Sequence, residues 1–214
     1  MSLTHSPTRS LGGMVAAAHP LAAAAGAEIL RTGGNAFDAV VATVATLNVV
    51  EPFMSGLAGL GVATCWIEKE KRIRCLDFTP NVPKEFLAEK LDKEATNTGP
   101  SASGVPGNLS GWCTLHRKYG SKKLSELMAP AIRHAQEGFP VSNLYVHMAN
   151  LTAARACTPE WRQVYMGGLD RIEENWILRQ PLLAHTLEAI ASEGMAYLYQ
   201  GALGQEMISH IQSL

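Results

Sequence analysis

The sequence predicts an α/β (α+β) layer structure that is helix-rich, carries one short β-hairpin, and is incomplete. Three observations lead there. An N-terminal helix pair has a second member that is apolar almost all round, so it has to be covered on most of its sides. Only two β-prone runs follow it, and a lone two-stranded hairpin is marginal in water, so further strands must come from elsewhere. The second half of the chain is helical throughout and supplies one layer of a layered fold.

The elements follow in order. Pro20 suits a first helical turn, where its missing N–H costs nothing, and Leu21 to Arg31 is rich in strong helix formers before Gly33-Gly34 stops the helix. Asn35 is an N-cap with Asp38 as the first-turn carboxylate. Phe37, Val40, Val41, Val44 and Leu47 then recur at helical spacing up to Glu51-Pro52. After the Gly-rich turn Ser55 to Gly61, Val62 to Ile67 and Arg72 to Phe78 read as a hairpin across the charged Glu68 to Lys71. From Thr79 to Gly104 the chain is turn-rich, with a short helix expected around Glu85 to Leu91 and a flexible loop from Thr96 to Gly104. Helices are expected at Pro106 to Tyr119, Leu124 to Gln136, Ser142 to Ala156, Pro181 to Glu193 and Ala202 to Ser213. Residues 1–11 are expected to form a flexible N-terminus and residues 12–214 a single partial domain.

Composition narrows the class. A chain of 214 residues with 47% hydrophobic content can bury a core, and Lys+Arg 18 against Asp+Glu 19 leaves no field that would attract a polyanion. Neither nucleic acid nor a membrane is expected as a partner. The N-terminal segment lacks an apolar signal-peptide core and no run approaches the length of a membrane span, so a cytoplasmic protein is expected. Cys65, Cys75, Cys113 and Cys157 form no C-x-x-C pair, which favours free thiols, although Cys65 and Cys75 flank the hairpin and could lie across from each other.

Few residues offer chemistry by themselves. Gly56-Leu-Ala-Gly-Leu-Gly61 resembles a dinucleotide loop but precedes a strand instead of following one, so a backbone turn is the simpler reading. The 7 histidines are scattered without metal-ligand spacing, and His19 could lie near a site or be a satisfied or surface residue. Ser55 and Ser110 lack the full nucleophile-elbow pattern. Glu51 could be catalytic or could bond to the turn ahead of Gly56. No complete set of nucleophile, base and orienting group emerges, and no metal or cofactor is implied.

Several blocks occur in a fixed order. Gly13-Met-Val-Ala16 precedes an apolar helix and Gly33-Gly-Asn-Ala-Phe-Asp-Ala39; Val49-Val-Glu-Pro52 precedes Ser55-Gly56; then come Leu76-Asp-Phe78, Gly104-Val-Pro-Gly107 with Gly111-Trp112, and Tyr119-Gly120. Pro130-Ala-Ile132, Glu137-Gly-Phe139 and Leu198-Tyr-Gln-Gly201 complete the series. This order resembles the large subunit of the γ-glutamyltranspeptidases over about residues 12 to 205.

The resemblance implies an Ntn-hydrolase αββα sandwich whose precursor cuts itself to expose an N-terminal threonine, the nucleophile and base in one residue. That threonine opens a T-T-H-x-S-V-x-D segment in the family, and no such string occurs in this chain, so no catalytic residue is carried over. Alone, the chain is expected to be inactive and to associate with the remaining large- and small-subunit sequence. A small-molecule amide would be the substrate once it is completed. A non-catalytic binding or assembly protein that keeps the fold fragment is the alternative. Glutathione-handling members follow L-D-F with Arg-Glu, and the arginine clamps the donor α-carboxylate. Here Thr79-Pro80 follows, and a threonine hydroxyl cannot replace a guanidinium charge. Thr79 and Asn81 are therefore the candidate substrate-binding residues, and an amide other than glutathione, of the kind acylases cleave, is the expected substrate.

Overall fold

The computed structural model describes residues 9–82, 99, 102–155 and 158–213. The helix expected around Glu85 to Leu91 lies outside them, as does most of the Thr96 to Gly104 loop.

Helix α1 spans Pro20–Arg31, and the Nδ1 atom of His19 caps it by accepting the Leu21 N–H at 3.2 Å. His19 is thereby accounted for as an N-cap. The chain turns at Gly33, whose φ of 86° lies in the left-handed region that only glycine adopts without strain. Helix α2, Ala36–Val50, opens on a capping box. Asn35 Oδ1 accepts the N–H groups of Phe37 and Asp38, and Asp38 Oδ2 accepts the Asn35 N–H at 2.9 Å.

The same carboxylate reaches much further along the chain. Asp38 Oδ1 accepts the Ser121 and Lys122 N–H groups, and its Oδ2 accepts the Ser121 hydroxyl at 2.6 Å. Asn35 Nδ2 donates to the Tyr119 carbonyl at 2.8 Å. The Gly-Gly-Asn corner is thus a dock for the loop between α3 (Asn108–Tyr119) and α4 (Leu124–Glu137). Asp38 itself is fully buried. Burial alone would raise its carboxyl, and the donors from Ser121, Asn35 and Lys122 outweigh that effect and hold it below the usual carboxylate range.

Helix α2 is the centre of the core, as its apolar sequence requires. It packs against α1, α3 and α4, and α4 packs in turn on α7 (Pro181–Glu193). Val41, Ala42, Ala45 and Val49 are fully enclosed, with Leu109, Leu127, Met128 and Leu187 around them. Each such leucine contributes about 1.5–3 kcal/mol through burial. Close approach of α1 to α2 depends on Gly26, where a Cβ would sit 2.1 Å from the Thr43 hydroxyl.

Strands β1 (Val62–Ile67) and β2 (Arg72–Asp77) pair antiparallel, with Val62 opposite Asp77 and Trp66 opposite Ile73. Strand side chains alternate, so Ala63, Cys65 and Ile67 share the half-buried face while Val62, Trp66 and Ile73 share the exposed one. Cys65 pairs with Arg74 and Cys75 with Thr64, an offset of one residue that points the two thiols to opposite faces. Both are free, and the register does not set them across from each other.

A second hairpin is a correction to the single one expected. Strands β3 (Phe139–Pro140) and β4 (Ile177–Leu178) are only two residues each, too short for a periodic pattern to mark them. Helix α5 covers Asn143–Arg155 and α9 covers Ala202–Ser213, close to expectation, while α6 (Pro159–Met166) and α8 (Ala196–Tyr199) are additional. Among the described residues no helix is long and apolar enough to cross a membrane.

Candidate functional site

The end of β2 is held by glycines. Phe78 extends the ladder by donating its N–H to the Gly61 carbonyl at 3.0 Å. Its ring and carbonyl lie against three positions that admit no side chain. A Cβ on Gly61 or Gly111 would come within 2.5 or 2.3 Å of the ring, and one on Gly107 within 2.1 Å of the Phe78 carbonyl oxygen. The glycines of the G-V-P-G and Gly111-Trp112 blocks are therefore the seat of the L-D-F phenylalanine.

The Gly-rich segment before β1 is stapled to the same place. The Gly59 carbonyl accepts the N–H groups of Gly107 and Asn108 at 2.9 and 2.8 Å, and the Gly56 carbonyl accepts from Asn108 Nδ2 at 2.7 Å. Asn48 Oδ1, inside the core, accepts from the Ser55 hydroxyl at 2.6 Å and from Asn108 Nδ2 at 3.3 Å. At Gly56 and Gly59 the loop turns acceptors toward the start of α3, the opposite of the donors a phosphate needs. Ser55 and Ser110 are both structural. The Ser110 hydroxyl donates to the Gly107 carbonyl at 2.8 Å.

Tyr199, from the Leu198-Tyr-Gln-Gly201 block, closes the far side. Its phenol donates to the Pro106 carbonyl at 2.9 Å and accepts the Ser110 N–H at 3.2 Å, which satisfies one of the free N–H groups in the first turn of α3.

These elements enclose a cleft of about 240 Å³ whose lining includes Asp77, Thr79, Asn81, Pro106, Ser110 and Thr114. Thr79 and Asn81 are thus brought together and are both exposed. Thr79 does not keep a free donor, however. Its N–H and hydroxyl both donate to Asp77 Oδ1, at 2.9 and 2.7 Å, a turn closed by a short carboxylate. The Thr79 N–H and hydroxyl hold the Asp77 carboxyl below its usual range. Sequence reading passed over Asp77 because it belongs to a strand motif, and its role shows only once the strand end is placed. Phe78, Asn48, Asn108 and Tyr199 were missed for a different reason, since their contacts join segments far apart in the chain.

Glu51 is nearly buried and its carboxylate does not bind the turn ahead of Gly56. That turn rests on the Glu51 main chain, whose carbonyl accepts the Met54 and Ser55 N–H groups at 3.0 and 2.9 Å. Among the described residues no group of three His, Cys, Asp or Glu side chains is placed to hold a metal ion. A second, aromatic cleft of about 280 Å³ lies between Phe53, Tyr145, Trp161 and Tyr165, and the Tyr145 phenol donates to the Tyr165 carbonyl at 2.8 Å.

Comparison with known proteins places this architecture. The gamma-glutamyltranspeptidase family profile matches residues 22–214. The chain is 31% identical over 208 residues to the glutathione hydrolase proenzyme of Bacillus subtilis (strain 168), covering 94% of this chain and 35% of that protein. It is 33% identical over 219 residues to the acylase ACY 1 proenzyme of Pseudomonas sp. (strain V22), covering 96% and 39%. The crystal structure of Helicobacter pylori gamma-glutamyltranspeptidase superposes with a TM-score of 0.90 at 30% identity, over 97% of this chain and 62% of that one. The chain therefore spans little more than a third of the length of these two proenzymes. With its helix-rich fold, its two small hairpins and this match, the chain belongs to the gamma-glutamyltranspeptidase family and corresponds to the N-terminal part of the large-subunit region.

Proposed function

We infer that this chain is the N-terminal portion of a γ-glutamyltranspeptidase-like amidohydrolase whose substrate is an amide other than glutathione, and that it supplies substrate-binding residues while the nucleophile comes from sequence outside it. The observation that carries this reading is Thr79. By the resemblance of Leu76-Asp-Phe78 to the family's L-D-F motif it stands at the position of the arginine expected in glutathione-handling members, and its donors are spent on Asp77. Among the described residues no Lys, Arg or His lines the cleft. A carboxylate head group would find no charge partner, and a charged hydrogen bond is worth about 1.5–3 kcal/mol.

Association with the rest of a large and small subunit fits the exposed face of the β1–β2 hairpin. Val62, Trp66 and Ile73 there are each more than half exposed, which a free-standing fold would be expected to cover. In the completed protein an N-terminal threonine would attack the amide carbonyl, with its own amine as base.

The test is an assay of the 214-residue protein, alone and together with a small-subunit-like chain, on γ-glutamyl-p-nitroanilide and on simple p-nitroanilides without an α-carboxylate. The expected result is no turnover by the chain alone and, on completion, preference for the uncharged amides. Robust turnover by the chain alone, or preference for the γ-glutamyl substrate, would overturn the reading.

A further inference from the structure

We propose that the cleft beyond β2 selects an amide whose head group is a hydrogen-bond donor, an alkylammonium in preference to a carboxylate. The proposal rests on the reading of Thr79 and Asn81 as substrate-binding positions. Several donors around the cleft are consumed, while the Asn81 carboxamide N–H2 and the Thr114 hydroxyl make no hydrogen bond among the described residues. Pro80 and Pro106 have no N–H to give. Thr79 gives both of its hydrogens to Asp77, Ser110 gives its N–H to Tyr199 and its hydroxyl to Gly107, and Gly107 gives its N–H to Gly59.

The acceptors are left in place. Asp77 Oδ2 takes no hydrogen bond among the described residues, and neither does the Asn81 carboxamide oxygen. The Asp77 carboxyl, held low by its two bonds from Thr79, is ionised at neutral pH. Among the described residues it is the one formal charge on the lining. A cleft whose one formal charge among the described residues is an anion repels a carboxylate and attracts an ammonium. Thr79 thus supplies no cation and orients the Asp77 carboxylate at the cleft wall, so the site presents an anion.

Three amides that differ only at the far end test this: 5-aminopentanamide, pentanamide and glutaramate. Each is titrated into the isotope-labelled 214-residue protein while the amide resonances of Thr79, Asn81 and Ser110 are followed. The ammonium compound is expected to bind about two- to fivefold more tightly than pentanamide, the size of one exposed charge pair, and glutaramate more weakly than either. The difference should shrink with added salt. Asp77→Asn, which can still accept from Thr79, should abolish the preference, and Thr79→Arg should reverse it. Glutaramate binding the natural protein as tightly as 5-aminopentanamide would overturn the ammonium selection and leave the cleft as a binding site. Failure of all three to shift these resonances would overturn the substrate-binding reading of Thr79 and Asn81 as well.

Discussion

Asp77 and Thr79 form a closed pair at the end of β2, with one carboxylate oxygen accepting both the N–H and the hydroxyl of the threonine at 2.9 and 2.7 Å. Thr79→Val removes the hydroxyl donor and keeps the N–H. The Asp77 carboxyl lies below its ordinary value of 3.8, with these two bonds as the cause, so the variant should titrate closer to 3.8. A lowered folded-state value means that the contact stabilises above the unfolded value and is lost as pH falls through the folded one. Thermal midpoints of the two proteins should therefore differ above about pH 4 and converge in more acid solution. Side-chain carboxyl NMR titration is the direct check, and an unchanged Asp77 midpoint in the valine variant would count against the pair.

Asp38 is a stronger case because it is buried and serves two elements at once. Asp38→Ala should cost about 2–4 kcal/mol, since it leaves the N–H groups of Asn35, Ser121 and Lys122 without their acceptor. Its folded-state carboxyl is also lowered, by donors that overcome burial, so its stabilisation is present at neutral pH and fades as pH drops below the carboxylate range. Urea unfolding of the natural protein and the alanine variant at pH 7 and at acid pH measures both effects. The gap should narrow at low pH.

Much of this was legible in the sequence. The caps at Asn35 and Asp38, the stop at Gly33 and the apolar run of α2 all act within a few residues, so local rules locate them. Helices α7 and α9 were bounded as observed for the same reason. Helix α6 carried a readable signal in Thr158-Pro159-Glu160 and Gly167, a side-chain cap, a first-turn proline and a left-handed stop, yet it is only 8 residues long. The hairpin β3–β4 had no such signal. At the candidate site, Thr79 and Asn81 were marked through a family motif and Asp77 bonds Thr79 only two residues away, whereas Phe78 and Tyr199 depend on contacts between distant segments that no local pattern encodes.

Gly111→Ala should disturb the site without touching any cleft polar group. The added Cβ would stand 2.3 Å from the Phe78 ring, so either the ring or the start of α3 has to move. Overpacking of this kind costs about 1–3 kcal/mol. Phe78→Leu in the same chain removes the ring and should recover part of the loss, with a coupling of about 0.5–3 kcal/mol for residues in contact. Denaturant midpoints of the two single variants and the double variant complete the cycle. Strict additivity would mean that Phe78 does not rest on Gly111.

The thiols provide a test of the hairpin register and of the core together. Cys75 is exposed, Cys65 is half-buried on the opposite face, and Cys113 is buried on the inner side of α3. Burial pushes the Cys113 thiol up to about 12, and it also raises that of Cys65. The thiolate is the reactive form, so accessibility and acidity act in the same direction. Near pH 8, of the three described cysteines, Cys75 should react first with a thiol reagent, Cys65 more slowly, and Cys113 only when denaturant opens the core. Peptide mapping after timed alkylation assigns each site. A Cys65–Cys75 disulfide forming readily under mild oxidation would contradict the one-residue offset in the strand pairing, because a bridge needs both side chains on one face. Early labelling of Cys113 would contradict the packing of α3 against α2.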